Sequence, residues 1–267
     1  MPQANRSWEN ASMKIVVCCK AVPGIVTELQ IGPDRKTLQY QGQLLSMNEC
    51  DEYALEEALA LKRAHGGNIT VITMGSIKTQ DILYLALAKG ADRAVRVDFE
   101  GNDPRVASTV LAAALKKIEF DLVLTGTQSR DTLGGQVGIA AASVLGLPFA
   151  YSVVDVAVGA DPIVKVRKEI GGGRYMEVEL PLPALLCVQT GIQALSYVPP
   201  ARRMRARQQP ISSFGLDDLG LKAEGLVPRS YHFVSVGPPE RTHQVHLFEG
   251  TPQEIAASLL AKIQEAR

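Results

Sequence analysis

Residues 121–147 read DLVLTGTQSRDTLGGQVGIAAASVLGL, and the fold turns on how this stretch is parsed. Leu122 to Leu124 is a short apolar run of the kind buried in parallel sheets. A polar loop bearing glycines follows, from Thr125 to Gly135. Gln136 to Leu147 then reads as a small-residue helix with Val137, Ile139, Ala140, Val144 and Leu145 on its apolar side. Gly146 stands where a glycine stops a helix, with Pro148 just beyond. A strand, a loop and a helix N-terminus in that order make an anion site, because first-turn N–H groups are free and the helix dipole is positive there. Gly134 and Gly135 carry no Cβ, so a phosphate can approach the backbone. An ordinary βα turn that binds nothing is the other reading of the same residues.

Working back toward the N-terminus, Lys14 to Lys20 (KIVVCCK) is a buried strand, followed by a turn with Pro23 and Gly24. Leu29–Ile31 and Thr37–Tyr40 predict a small hairpin around Gly32 to Asp34. In SMNECDEYALEEALALKRAHGG, Asp51 is expected to cap a helix. Ala54, Leu55, Ala58, Leu59 and Leu61 form its packed face, Glu56 and Glu57 face solvent, and Gly66 ends it. Ile69–Met74 and Ala94–Val97 are further strands, with a helix from about Thr79 to Lys89 between them. Asp103-Pro104 caps another helix that runs to about Lys117. Alternating strands and helices predict an α/β fold, doubly wound and mostly parallel. Its strand ends, Cys18–Lys20, Met74–Ser76 and Thr125–Gln128, should converge on one crevice. The Rossmann and Walker A glycine patterns are absent.

Working forward, Tyr151–Val158, Ile163–Ile170 and Tyr175–Leu180 alternate as an antiparallel extension, and Leu185–Val188 returns to a buried run. From Gly191 to Gly250 the period is lost, prolines punctuate the chain, and Arg202, Arg203, Arg205 and Arg207 crowd together. Such a segment reads either as a solvated face or as a long arm wrapped on a partner. The chain closes in a helix with Thr251 and Glu254 spaced as a capping box, Pro252 at its first position, and Ile255, Leu259, Leu260 and Ile263 as an apolar stripe. The expected organisation is a disordered lead-in over 1–12, a nucleotide-binding domain over 13–190, and an arm with its helix over 191–267.

The 267 residues are 46% hydrophobic and 21% charged, with a formal net charge of zero. That balance gives no whole-molecule attraction to nucleic acid or membrane surfaces. The start, MPQANRSWENAS, lacks an apolar core and reads as no signal peptide, with Met13 an alternative start, so a cytoplasmic location is expected. No run is long enough for membrane insertion. Cys18, Cys19, Cys50 and Cys187 lack metal-ligand spacing and read as free buried thiols. His65, His232, His243 and His246 join no acid or thiol cluster, so no metal site is expected. No G-x-S-x-G nucleophile motif occurs.

Taken in order, KIVVCCKAVPG, SMNECDEYALEEALALK, ALAKGADRAVRV, the 125–138 loop, LPLPALLCVQTG, the basic segment SYVPPARRMRAR, and DDLGL at Asp217 resemble the beta (small) subunit of electron transfer flavoproteins. The resemblance runs nearly the whole length from Met13. It implies an adenine nucleotide alpha hydrolase-like sheet in a non-covalent heterodimer, whose alpha subunit carries the electron-transferring FAD. It implies an electron carrier subunit and no enzyme in its own right. A flavin-containing dehydrogenase is then the donor, and a quinone oxidoreductase the acceptor. The beta pocket holds a structural AMP in the usual members and a second, NADH-reactive FAD in a bifurcating subgroup.

By position, the resemblance assigns Cys18, Asn48, Met74 and Gly75 to the adenosine. It assigns Gly126, Gln128, Asp131, Gly134, Gly135, Gln136, Val137 and Gly138 to the nucleotide loop. The Asn48 amide has both a donor and an acceptor for an adenine edge or ribose, or it caps a helix. Met74 also reads as core. At Ser129 to Leu133 the loop departs from the family's acidic pattern and from the regular acid–Gly–acid–Thr run of bifurcating members. Arg130 enters there, either beside a diphosphate or facing water. For donor docking, Pro200 stands where an anchor leucine is usual. Val198 or Met204 is the alternative apolar anchor, and Arg202, Arg203 and Arg205 suit an acidic partner. A typical acyl-CoA dehydrogenase is therefore not the expected donor, and a dehydrogenase of N-methylated amines is left by elimination. A separate reading, a nucleotide sensor or ligase-like domain, wants a Ser-Gly-Gly-x-Asp loop that is missing.

Overall fold

The β-branched, apolar runs form strands in the computed structural model, which describes residues 12–24, 30–36, 38–39, 44–101, 103–159, 161–228, 234–238 and 245–266. The lead-in before Ser12 and the expectations at His232 and His243 lie outside the described residues. The strands in chain order are β1 (Met13–Cys18), β2 (Ala21–Pro23), β3 (Gln30–Ile31), β4 (Leu38–Gln39), β5 (Leu45–Met47), β6 (Gly67–Met74), β7 (Arg93–Val97) and β8 (Leu122–Gly126). They continue with β9 (Phe149–Val158), β10 (Ile163–Gly171), β11 (Arg174–Pro181), β12 (Ala184–Val188) and β13 (Ser212–Phe214). The helices are α1 (Glu49–His65), α2 (Gln80–Lys89), α3 (Pro104–Leu115), α4 (Val137–Leu145), α5 (Pro200–Ala206) and α6 (Pro252–Glu265).

Nine strands form one sheet in the order β11-β10-β9-β12-β8-β1-β6-β7-β13. From β9 through β13 all neighbours run parallel, and β10 and β11 add an antiparallel edge. Ile15, Val17, Ile69 and Val71 face a core closed by Leu55 of α1 and Leu83 of α2. Val16, Ile72 and Val123 face a second core closed by Val110 of α3 and Ala141 of α4. Because β6 and β7 lie to one side of β1 while β8 and β12 lie to the other, the strand order reverses between β1 and β8. A crevice at the strand carboxyl ends is the consequence.

Local signals hold where chemistry is strongest. Asp103 accepts from the N–H groups of Arg105 and Val106 at 2.9 and 3.1 Å, with Pro104 at the first position of α3. Gly146 ends α4 in the left-handed conformation. The Thr251–Glu254 capping box forms in full.

The main unit does not stop at residue 190. It comprises Met1–Leu29 and Tyr40–His232, and a smaller unit comprises Gln30–Gln39 and Phe233–Arg267. In the larger unit Val198 and Ala206 enter the first core, Leu219 enters the second, and β13 adds a ninth strand beside β7. A seven-residue helix and a three-residue strand are too short to show a period. In the smaller unit β3 and β4 pair antiparallel as the expected hairpin. No residue of α6 is buried, and Leu259, Leu260 and Ile263 are 46–57% exposed.

Candidate nucleotide site

The crevice is organised by Asp51. It sits in the first turn of α1, 6% exposed, and is not the cap that the sequence predicts; Asn48 holds that position. One carboxylate oxygen accepts from the Lys20 N–H at 2.7 Å and the other from the Gly126 N–H at 2.8 Å. The ends of β1 and β8 are thereby pinned to the start of α1. Burial pushes the Asp51 carboxyl up to about 6, against the pull of N–H donation from Lys20 and Gly126, the Asn48 amide and the Lys20 charge.

The loop after β8 is held from three sides. Asn48 donates to the Gln128 carbonyl at 2.8 Å and accepts from the Arg130 N–H at 3.1 Å. Its amide makes no capping bond; its donor and acceptor hold the loop, and it also bonds the Asp51 carboxyl in the first turn of α1. Lys20 reaches Asp131 at 2.8 Å and the Ser129 hydroxyl at 3.2 Å. Burial raises the Asp131 carboxyl, but these two partners outweigh it and hold the group below the usual carboxylate range. Arg130 is exposed, and its guanidinium donates to the Pro23 carbonyl at 2.6 Å and the Ser46 hydroxyl at 2.7 Å. It thus clamps the loop to the β2–β5 ribbon.

The glycines divide into two kinds. A Cβ on Gly126 would lie 2.4 Å from Asp51 Oδ1, and one on Gly138 would lie 2.6 Å from Thr125 Oγ1 and 2.8 Å from Cys187 Sγ. Those two are needed for α1 and α4 to approach the strands. Gly134 has open space where its Cβ would be. Gly135 takes φ +60° beside the Tyr151 hydroxyl, a conformation that favours glycine. Gln136, at the start of α4, makes no side-chain cap, and Val137 is half-buried just after it. The first turn of α4 therefore offers uncapped N–H groups behind an open glycine, which is the arrangement a phosphate requires.

The remaining predicted residues sit at neighbouring strand ends. Cys18 closes β1, with its thiol pushed far up by burial. Met74 closes β6, half-buried against the second core. The Gly75 N–H donates to the Val97 carbonyl and its own carbonyl accepts from buried Arg96 at 2.9 Å. Lys20, Asp51, Tyr151 and Arg96 were not predicted. A charged residue at the end or start of an apolar run is the one signal that marks the first two.

Two acids expected in water are inside. Glu56 and Glu57 are 4% and 2% exposed. Glu56 meets Lys89, and Glu57 accepts from Gln193 at 2.8 Å. Burial raises both carboxyls. Lys89 and Ser196 reverse the direction for Glu56, while Glu57 stays raised.

Among the docking candidates, Pro200 opens α5, and Arg202, Arg203, Met204 and Arg205 are exposed, Met204 by 72%. Val198 is 4% exposed and packs in the first core, so it cannot anchor a partner. Tyr197, at 80%, is the exposed apolar neighbour that the sequence reading passed over.

All four cysteines are free and buried. Among the described residues, no helix is long and apolar enough to cross a membrane and no cluster of His, Cys, Asp and Glu could hold a metal. Two further concavities are present, the second lined in part by Gln136 of the candidate loop. One of about 440 Å³ is at the amino ends of β1, β6 and β7, and one of about 400 Å³ is between α3 and α4.

The chain was also compared with known proteins. Residues 37–219 match the family model of the electron transfer flavoprotein domain. The chain is similar to the electron transfer flavoprotein subunit beta of Methylophilus methylotrophus, 33% identical over 95% of this chain and 98% of that protein. The subunit beta of Clostridium acetobutylicum is 34% identical, over 95% of this chain and 98% of its own. A caffeyl-CoA reductase-Etf complex subunit, CarD, of Acetobacterium woodii is 34% identical over the same shares.

Proposed function

The chain belongs to the electron transfer flavoprotein family, among its beta subunits, and from that premise we propose that it is the nucleotide-holding and donor-docking half of a two-chain electron carrier. An alpha subunit holds the FAD, which supplies the electron-carrying chemistry. Electrons enter from a flavin-containing dehydrogenase and leave toward a quinone oxidoreductase. This chain contributes an AMP pocket of structural purpose and the surface on which the donor docks.

One observation carries the reading. Three segments of the family pattern, distant in sequence, are tied at one crevice by Asp51, Asn48 and Lys20. The crevice lies at the reversal of strand order, beside the uncapped start of α4. There Gly134 to Gly138 would take the phosphate. Lys20 is a cation on the rim, shared with Asp131. The exposed arginines of α5 suit an acidic patch and a salt-sensitive encounter.

A second FAD in the beta pocket, reducible by NADH, is the alternative; the equal similarity to a complex-bound Etf subunit favours testing it. The departure at Ser129 to Leu133 speaks against it. The experiment is to denature the purified heterodimer and count released nucleotides. One FAD with one AMP per dimer is expected. Two FAD and no AMP would overturn the AMP pocket and call for NADH titration.

A further inference from the structure

We propose that Lys89, Glu56 and Ser196 form a lock that fixes where the α5 surface stands. Its purpose rests on the docking reading above; its existence rests on geometry alone. Lys89 ends α2 with its side chain 1% exposed. Its ammonium lies 2.5 Å from Glu56 and 2.9 Å from Glu52, both on α1, and donates to the Ser196 carbonyl at 3.0 Å. The Ser196 N–H and hydroxyl both donate to the same Glu56 oxygen, at 2.9 and 2.6 Å. A few residues earlier, Gln193 donates to Glu57. Two adjacent acids of α1 thus grip both ends of the 193–196 span.

That grip matters because the span has few hydrogen bonds of its own, while Ile192, Val198 and Ala206 supply its apolar packing on the first core. Among the described residues, the Ser196 N–H is bonded to Glu56, and no N–H between Gly191 and Pro199 donates to a backbone carbonyl. The segment has neither helix nor strand. It carries the exposed Tyr197 and leads into α5, where Met204 and the arginines are exposed. Replacing a buried ion pair by apolar groups is often neutral for stability. What directional charge-assisted hydrogen bonds supply is position. Lys89 is accordingly a positioning residue for the docking surface, acting through Ser196.

The test uses the full chain co-expressed with its alpha subunit. Lys89→Met keeps length and removes the cation; Ser196→Ala removes one donor and keeps the ion pair. Amide exchange at Ser196, and trypsin cleavage at Arg202, Arg203 and Arg205, should quicken about tenfold or more in Lys89→Met. Ser196→Ala should show a smaller increase confined to 191–207. Exchange in β1 and β8 should stay at the wild-type rate in Ser196→Ala, and in Lys89→Met, where Glu56 loses its counter-charge, it should rise less than exchange at Ser196. Unchanged exchange and cleavage in Lys89→Met would overturn the lock. So would acceleration throughout the chain in Lys89→Met with none in Ser196→Ala, which is the behaviour of a general stabiliser. If the segment loosens as expected while substitution of the α5 arginines leaves electron transfer intact, the lock stands and the docking reading fails.

Discussion

Replacing Asp51 by Asn tests whether the crevice is built as described. Asp51 is 6% exposed and its two oxygens each accept one backbone N–H, from Lys20 and from Gly126. In the Asp51→Asn variant one of those oxygens becomes an NH₂ group facing an N–H donor. A buried N–H left without an acceptor costs about 1–3 kcal/mol. The pH dependence separates this from a generic defect. Burial raises the Asp51 carboxyl from 3.8 to about 6. Its folded-state value therefore lies above its unfolded value, so its contribution is full below pH 3.8 and is lost as pH rises through about 6. Complete ionisation removes about 3 kcal/mol, and the interval from about pH 4.5 to about pH 7.5 removes about 2 kcal/mol of that. The amide of the variant does not titrate. Urea unfolding of both proteins at about pH 4.5, 6 and 7.5 should show the wild type more stable at the acid end, with that advantage shrinking by about 2 kcal/mol across the range and so falling close to zero or reversing at the alkaline end. A constant difference would refute the burial of an ionising group at this position. An advantage that grows with pH would mean that the N–H donors and Lys20 outweigh desolvation.

Four further outcomes are expected. Gly126→Ala places a Cβ 2.4 Å from Asp51 Oδ1 and 2.6 Å from Cys50 Cβ, and overpacking of this kind should cost about 1–3 kcal/mol, read as a thermal midpoint lower by roughly 2–4 °C per kcal/mol. Gly134→Ala meets open space, so the midpoint should hold while nucleotide per dimer falls; unchanged nucleotide would move the phosphate elsewhere. Changing Arg202, Arg203, Arg205 and Arg207 to Ser should slow reduction by the donor dehydrogenase and flatten its salt dependence; equal rates at low ionic strength would make the run a solvated face. Deleting 250–267 should weaken co-purification with the alpha subunit more than it lowers the unfolding midpoint, because α6 buries no residue of its own; intact co-purification would dismiss that role.

The parallel sheet was legible because its strands are buried on both faces and so read as continuous apolar runs, as in Val123 and Leu124 of β8 or Ile69 to Ile72 of β6. Helix ends were legible where a side chain does the capping, at Asp103 and Thr251. Pattern reading failed where a polar group is buried with a distant partner. Asp51 follows an N-cap position and looks like one, but its oxygens serve strand ends 31 and 75 residues away. Asn48 has the right chemistry for adenine and uses it on the loop and on Asp51. Arg130 looks free until Pro23 and Ser46 are brought beside it.

Glu56 and Glu57 show why the rule of polar-outside helices misled. The rule treats a helix as having one partner layer, yet α1 meets the sheet on one side and both α2 and the 193–196 span on another. A helix with two neighbours has room for a charge between them, provided that a counter-charge arrives. Lys89, in the run ALAKGAD, is that counter-charge, and nothing local in either segment reveals the match. The consequence is physical. The candidate nucleotide crevice and the α5 surface are both anchored on α1, the first through Asp51 and the second through Glu56, little more than one turn apart on one helix. A perturbation that shifts α1 must reach both. Ser196→Ala, which touches only the second anchor, should therefore leave nucleotide content unchanged while loosening α5, whereas Asp51→Asn should disturb both. Loss of nucleotide in Ser196→Ala would mean that the two anchors are not separate.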